Sequence, residues 1–97
     1  MTLYHWSPQW RAILKNGLVP HARRGFTRRI WLASWRRAYE LRGHVAEHQG
    51  VFPDELGLLC VTVPRSVIKS AGGKRPGVYV VYEAIRKERI ELVEEGA

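Results

Sequence analysis

The chain has one cysteine, Cys60, and one aspartate, Asp54. A lone thiol excludes an internal disulfide framework and any zinc site built on several cysteines. A lone aspartate, with no Gly-x-Ser-x-Gly elbow anywhere, leaves nothing on which to build a Ser-His-Asp hydrolase. Gly72-Gly73-Lys74 lacks the spacing of a phosphate-cradling P-loop. Most carboxylates crowd toward the C-terminal end, so no acid–base pair of the glycosidase type can be argued. No apolar run reaches the roughly 18 residues of a membrane-spanning helix. His5 and Trp6 stand where a secretory leader would place a basic and then an apolar stretch. The expected compartment is therefore the cytoplasm.

What remains is 97 residues, 45% hydrophobic and 26% charged. That suits one folded domain, residues 1–97, with a real but small core. The formal charge is +7. Arg11, Lys15, Arg23, Arg24, Arg28, Arg29, Arg36, Arg37 and Arg42 face only Glu40 and Glu47 in residues 1–50, whereas residues 51–97 balance to zero. Arginine outnumbers lysine, and its planar fork grips phosphate in two-point fashion. A nucleic acid or nucleotide partner is the expectation; a basic surface with no partner is the alternative.

Thr2 to Trp6 reads as a strand. Ser7-Pro8 has the chemistry of a helix start, Trp10, Ile13 and Leu14 share one helical face, and Asn16-Gly17 ends the helix. A loop over 21–27 precedes a second strand, Ile30 to Ala33. Ser34 caps a second helix whose apolar stripe is Trp35, Ala38, Tyr39, Leu41, Val45 and Ala46, closed by Gln49-Gly50. Leu56 to Val63 suits a buried strand. Pro64 to Ser70 is expected as one or two helical turns, 71–77 as a basic loop, Val78 to Tyr82 as a strand, and Ile90 to Val93 as an edge strand before a frayed end. The class is α+β, with helices early and strands dominating late.

His44-Val45-Ala46-Glu47-His48 carries two histidines one helical turn apart, the spacing a zinc ion needs. Catalytic zinc also needs a third ligand, and the later acids Glu83, Glu88 and Glu91 fall in or beside expected strands. A solvated helix end is the simpler reading. Cys60, within an apolar strand, reads as a small buried hydrophobe.

One set of motifs runs the length of the chain. Leu3-Tyr4-His5 is followed by Ile13-Leu14-Lys15-Asn16-Gly17-Leu18-Val19-Pro20. Arg29-Ile30-Trp31-Leu32-Ala33-Ser34 comes next, with Ala38 four residues on. Leu59 to Pro64 forms a third block, and Gly77 to Ile85 with Ile90 a fourth. In this order the blocks resemble those of the ADP-ribosyltransferase superfamily, which includes the poly-ADP-ribose polymerases and the RNA 2′-phosphotransferases.

The resemblance implies a small split β-sheet with two main helices and a cleft that binds NAD. It implies that His5 orients the ribose and that Trp31 stacks on the nicotinamide. Val78 occupies the place of the polymerase glutamate, with Tyr79 beside it. Arg28 and Arg29, with Arg42 on the second helix, correspond to the phosphate-holding arginines of the phosphotransferases. Arg23 and Arg24 would add charge for pyrophosphate or a nucleic-acid acceptor. His5, Trp31 and Arg42 are then the expected catalytic set. The expected activity is NAD-dependent mono-ADP-ribosyl transfer to nucleic acid. Removal of an RNA 2′-phosphate using NAD, or binding of nucleotide or nucleic acid without catalysis, are the alternatives.

Overall fold

The computed structural model describes residues 1–20, 29–70 and 76–95. Six strands and two helices follow one another as β1 (Thr2–Ser7), α1 (Trp10–Asn16), β2 (Ile30–Ala33), α2 (Trp35–Gln49), β3 (Gly57–Thr62), β4 (Ile68–Ser70), β5 (Val78–Val81) and β6 (Ile90–Glu95). Three 3₁₀ turns, Pro53–Glu55, Arg65–Val67 and Lys87–Arg89, connect the later strands. The domain is α+β. Its strands form one sheet in the order β4-β5-β2-β1-β3-β6, and every neighbouring pair is antiparallel. No helix among the described residues is long and apolar enough to cross a membrane.

Local chemistry accounts for most of these elements. The Ser7 hydroxyl accepts the Gln9 N–H at 3.0 Å, so Ser7-Pro8 shapes a turn and helix α1 starts at Trp10, two residues later than the Ser-Pro signal suggests. Gly17 ends α1 with φ of 87°. A Cβ there would lie 2.6 Å from the Ile85 carbonyl oxygen, which accepts the Leu18 N–H at 2.9 Å. Ser34 stands at the N-cap of α2, and Gly50 closes it in the left-handed region.

Two expectations need correction. Pro64 to Ser70 is not helical throughout: a single 3₁₀ turn gives way to β4, which pairs with β5 from Ile68 to Ser70. The C-terminal end is not frayed from Glu94 onward. Strand β6 continues through Glu95, where Glu94 and Glu95 pair with Leu58 and Gly57 of β3; Tyr39 also donates to Glu94 at 2.8 Å and Arg11 reaches Glu95 at 3.3 Å.

Alternation along the strands sends side chains to two different cores. On one face Leu3, Ile30, Leu32, Leu59, Val61, Val81 and Ile90 pack beneath Trp10 and Ile13 of α1. On the other, Trp6, Ala33 and Leu58 pack with Leu56 and with Ala38 and Ala46 of α2. Burying a leucine such as Leu59 contributes on the order of 1.5–3 kcal/mol. The first face is closed by aliphatic bulk; the second uses small helix residues to bring α2 close.

Candidate functional site

Strands β1 and β2 are neighbours in name more than in hydrogen bonding. They share one residue pair, Tyr4 with Ala33. By contrast β1 runs beside β3 from Thr2 to Ser7, and β2 beside β5 from Ile30 to Ala33. The sheet is thus divided into halves, β4-β5-β2 and β1-β3-β6, which part beyond that pair. His5 spans the parting: its Nδ1 lies 2.7 Å from the Trp31 carbonyl oxygen. A carbonyl only accepts, so the fitting neutral tautomer carries its proton on Nδ1 and a lone pair on Nε2. An imidazole thereby occupies a position where a backbone rung would otherwise sit.

Trp31 is 39% exposed, and the Arg29 guanidinium stands 5.4 Å from its ring centre. Its indole leaves the sheet on the α2 side, with Ala33. By alternation the His5 ring leaves on the α1 side, with Leu3. The structure therefore joins His5 to the backbone of Trp31 and sends the two rings from opposite faces. Continuing the Tyr4–Ala33 register places Trp6 across the parting from Trp31, on the same face. Trp6 is buried; its indole N–H donates to the Ala38 carbonyl at 2.6 Å, and Arg42 sits 5.6 Å from its ring centre. The parting is flanked on the α2 side by two tryptophans, each with an arginine over it.

Arg42 is more constrained than its expected phosphate role suggests. Its Nη2 donates to the Pro53 carbonyl at 3.1 Å, fixing the turn after α2. Its Nε is enclosed and has no hydrogen-bond partner among the described residues. Val78 is buried opposite Ala33, on the α2 side, and brings no carboxylate. Tyr79 lies opposite Leu32 and packs against the α1-side core. Arg23, Arg24 and Arg28 fall outside the described residues.

The other sequence signals fare differently. The His44 and His48 rings do stack one turn apart, 6.1 Å between centres, and both residues are exposed. No group of three or more histidine, cysteine or acidic side chains able to hold a metal occurs among the described residues. Cys60 is half-buried rather than fully enclosed. Burial and the Glu91 carboxylate push its thiol pKa up, against the pull of the Tyr4 hydroxyl. Burial and the same thiol raise Tyr4. An open groove of about 500 Å³ lies between apolar Val63, Val81 and Ile85 and the charged residues Glu83, Arg86, Glu88 and Arg89, and none of the expected site residues lines it.

Sequence reasoning missed Trp6 as a wall of this site and Arg29 as the partner of the Trp31 ring. Trp6 carries no motif beyond its place after His5. The spacing of Arg29 and Trp31, two apart on a strand, does put them on one face and was the available signal. Compared with protein-family models, curated proteins and solved structures, the chain has no match.

Proposed function

We propose that the chain is an NAD-dependent mono-ADP-ribosyltransferase with nucleic acid as its acceptor. The observation that carries this reading is the parted sheet, with His5 bridging β1 to the Trp31 carbonyl at the place where the resemblance expects a cofactor cleft. The chain's basic half adds support, since a pyrophosphate and a nucleic-acid acceptor are both polyanions.

Bound NAD would supply an activated bond from ribose C1′ to a positively charged pyridinium. With NAD bound, an acceptor nucleophile would bond to C1′ as neutral nicotinamide left with the bonding pair, the acceptor proton passing to solvent. The protein's work is positioning and electrostatics. His5, held by the Trp31 carbonyl, would orient the ribose. Trp31, whose exposed ring leaves the sheet on the face opposite His5, would offer a stacking surface to a dinucleotide that threads the parting. Arg29 offsets phosphate charge.

One observation admits a second reading within the same family. Val78 is buried and apolar where the polymerases use glutamate, a departure that the RNA 2′-phosphotransferases share with some mono-transferases, so it keeps phosphate removal beside mono-transfer. Incubating the purified chain with NAD and RNA, 2′-phosphorylated RNA or DNA separates the two. Free nicotinamide with ADP-ribosylated nucleic acid, lost in His5→Ala, is the expected result. Release only with 2′-phosphorylated RNA selects phosphate removal. No release, and no shift of melting temperature by NAD, overturns both and leaves a basic binding module.

A further inference from the structure

A second surface lies on the α2 side of the other half-sheet. Helix α2 turns Trp35 and Tyr39 toward β6, and both remain exposed, at 48% and 42%. Their rings meet edge to face at 5.0 Å, and Trp35 meets Tyr4 of β1 the same way at 4.8 Å. Tyr4 lies opposite Cys60, and Cys60 opposite Glu91, so all three share this face. Glu94 follows on β6, its carboxylate accepting the Tyr39 hydroxyl. The result is a trough with an aromatic wall, a Tyr4–Cys60 floor and a wall of two carboxylates. A shallow hollow of about 320 Å³ bounded by Cys60, Thr62, Glu88, Arg89 and Glu91 continues it.

The charge here runs against the rest of the chain. On a protein of formal charge +7, Glu88, Glu91 and Glu94 line one strip. The ion pairs among the described residues are Arg11–Glu95 and Arg37–Glu40, so neither Glu91 nor Glu94 is neutralised by one of them. Arg89 stands at one end of the trough and Arg42 near Tyr39 at the other, the latter already turned to Pro53 and Trp6. Exposed indole and phenol faces attract a cation through their quadrupoles, and a guanidinium also forks onto a carboxylate. A polyanion would meet two like charges at the same place.

We propose that this trough docks an arginine-bearing segment of a partner protein, its guanidinium groups stacked on Trp35 and Tyr39 and bonded to Glu91 and Glu94. The trough adjoins the parted sheet through Tyr4 and through the edge-to-face contact of Tyr39 with Trp6, but its docking needs no NAD.

The test uses the full chain, ¹⁵N-labelled, without NAD. A short peptide of alternating arginine and glycine is titrated while the Trp35 indole N–H signal is followed, assigned through Trp35→Phe. A matched glutamate–glycine peptide and a short oligouridylate serve as the other arms. A saturable shift with the arginine peptide alone is expected, weakened roughly tenfold in Glu91→Gln/Glu94→Gln, as loss of two charge-assisted contacts would give. These two positions are exposed, so the double variant keeps the fold, and far-ultraviolet circular dichroism checks that. Overturning results are no saturable shift, equal response to the glutamate peptide, unchanged affinity in the double variant, or a Trp35 response to oligouridylate in place of the peptide.

Discussion

The two faces of the sheet solve the same packing problem with different materials. Beneath α1, seven-residue and short, the core is aliphatic and closed, with Leu3, Leu32, Leu59, Val61 and Val81 nearly inaccessible. Beneath α2, which is twice as long, small Ala38 and Ala46 draw the helix in, while aromatic rings and arginines fill the margins and stay partly wet. The lesson is one of division of labour. The α1 face holds the domain together with shape alone. The α2 face buries Leu56, Leu58, Ala38 and Ala46 as completely but leaves an aromatic margin exposed, and both the Trp6–Trp31 flank of the parting and the aromatic–acidic trough lie there.

That contrast can be tested by substitution. The largest effect is expected at Leu59, fully buried on the α1 face. Leu59→Ala should cost about 2–5 kcal/mol in urea unfolding, enough to threaten folding in so small a domain. Next comes Gly57, over which the Trp10 ring lies. A Cβ there would approach the ring to 2.4 Å, so Gly57→Ala should cost roughly 1–3 kcal/mol as Trp10 is displaced, visible as a change in tryptophan emission. Trp6→Phe, on the α2 face, keeps most of the apolar bulk but removes the indole donor to Ala38. A loss of about 1 kcal/mol is expected, and equality with the Leu59 variant would erase the distinction between the faces.

The smallest effect belongs to Tyr39→Phe, read through pH. The hydrogen bond to Glu94 favours the protonated phenol and raises the Tyr39 pKa above 10.0, with burial adding to the shift. A raised folded-state value means the contribution is present below the unfolded pKa and lost as pH climbs through the folded one. Wild type should therefore lose more stability than Tyr39→Phe above pH 10, and phenolate absorbance should show Tyr39 titrating late. Identical alkaline curves for the two proteins would remove Tyr39–Glu94 as a working contact.

Much of the fold was legible because caps and alternation are local. Strand β2, the Ser34 start and Gly50 end of α2, and strand β5 all follow from residues within a turn or two. Strand β4 was not, because the three residues Ile68 to Ser70 carry no period, and only pairing with Val81, Val80 and Tyr79 makes them a strand. The extension of β6 was hidden for a related reason. Glutamates at a chain end read as solvated until Tyr39 and Arg11 arrive from two different helices. Strand order leaves no local trace either.

The candidate site was legible only in part. His5 and Trp31 stood out through the motif they open, but that one ring would bond the other's backbone follows from the missing rungs between β1 and β2. Arg42 looked like a phosphate ligand because its charge is all the sequence displays. That its fork points at a carbonyl and a tryptophan depends on where the turn after α2 comes to rest.

Strand β6 is an outer rim of the sheet, and its ladder to β3 slips between Leu58 and Leu59. At the opposite rim β4 offers only three residues. An incoming strand would find an interrupted template on one side and a truncated one on the other. The chain is thereby shielded from stacking rim to rim into fibres, even though Trp31, Trp35, Tyr39, Phe52 and Tyr82 face water.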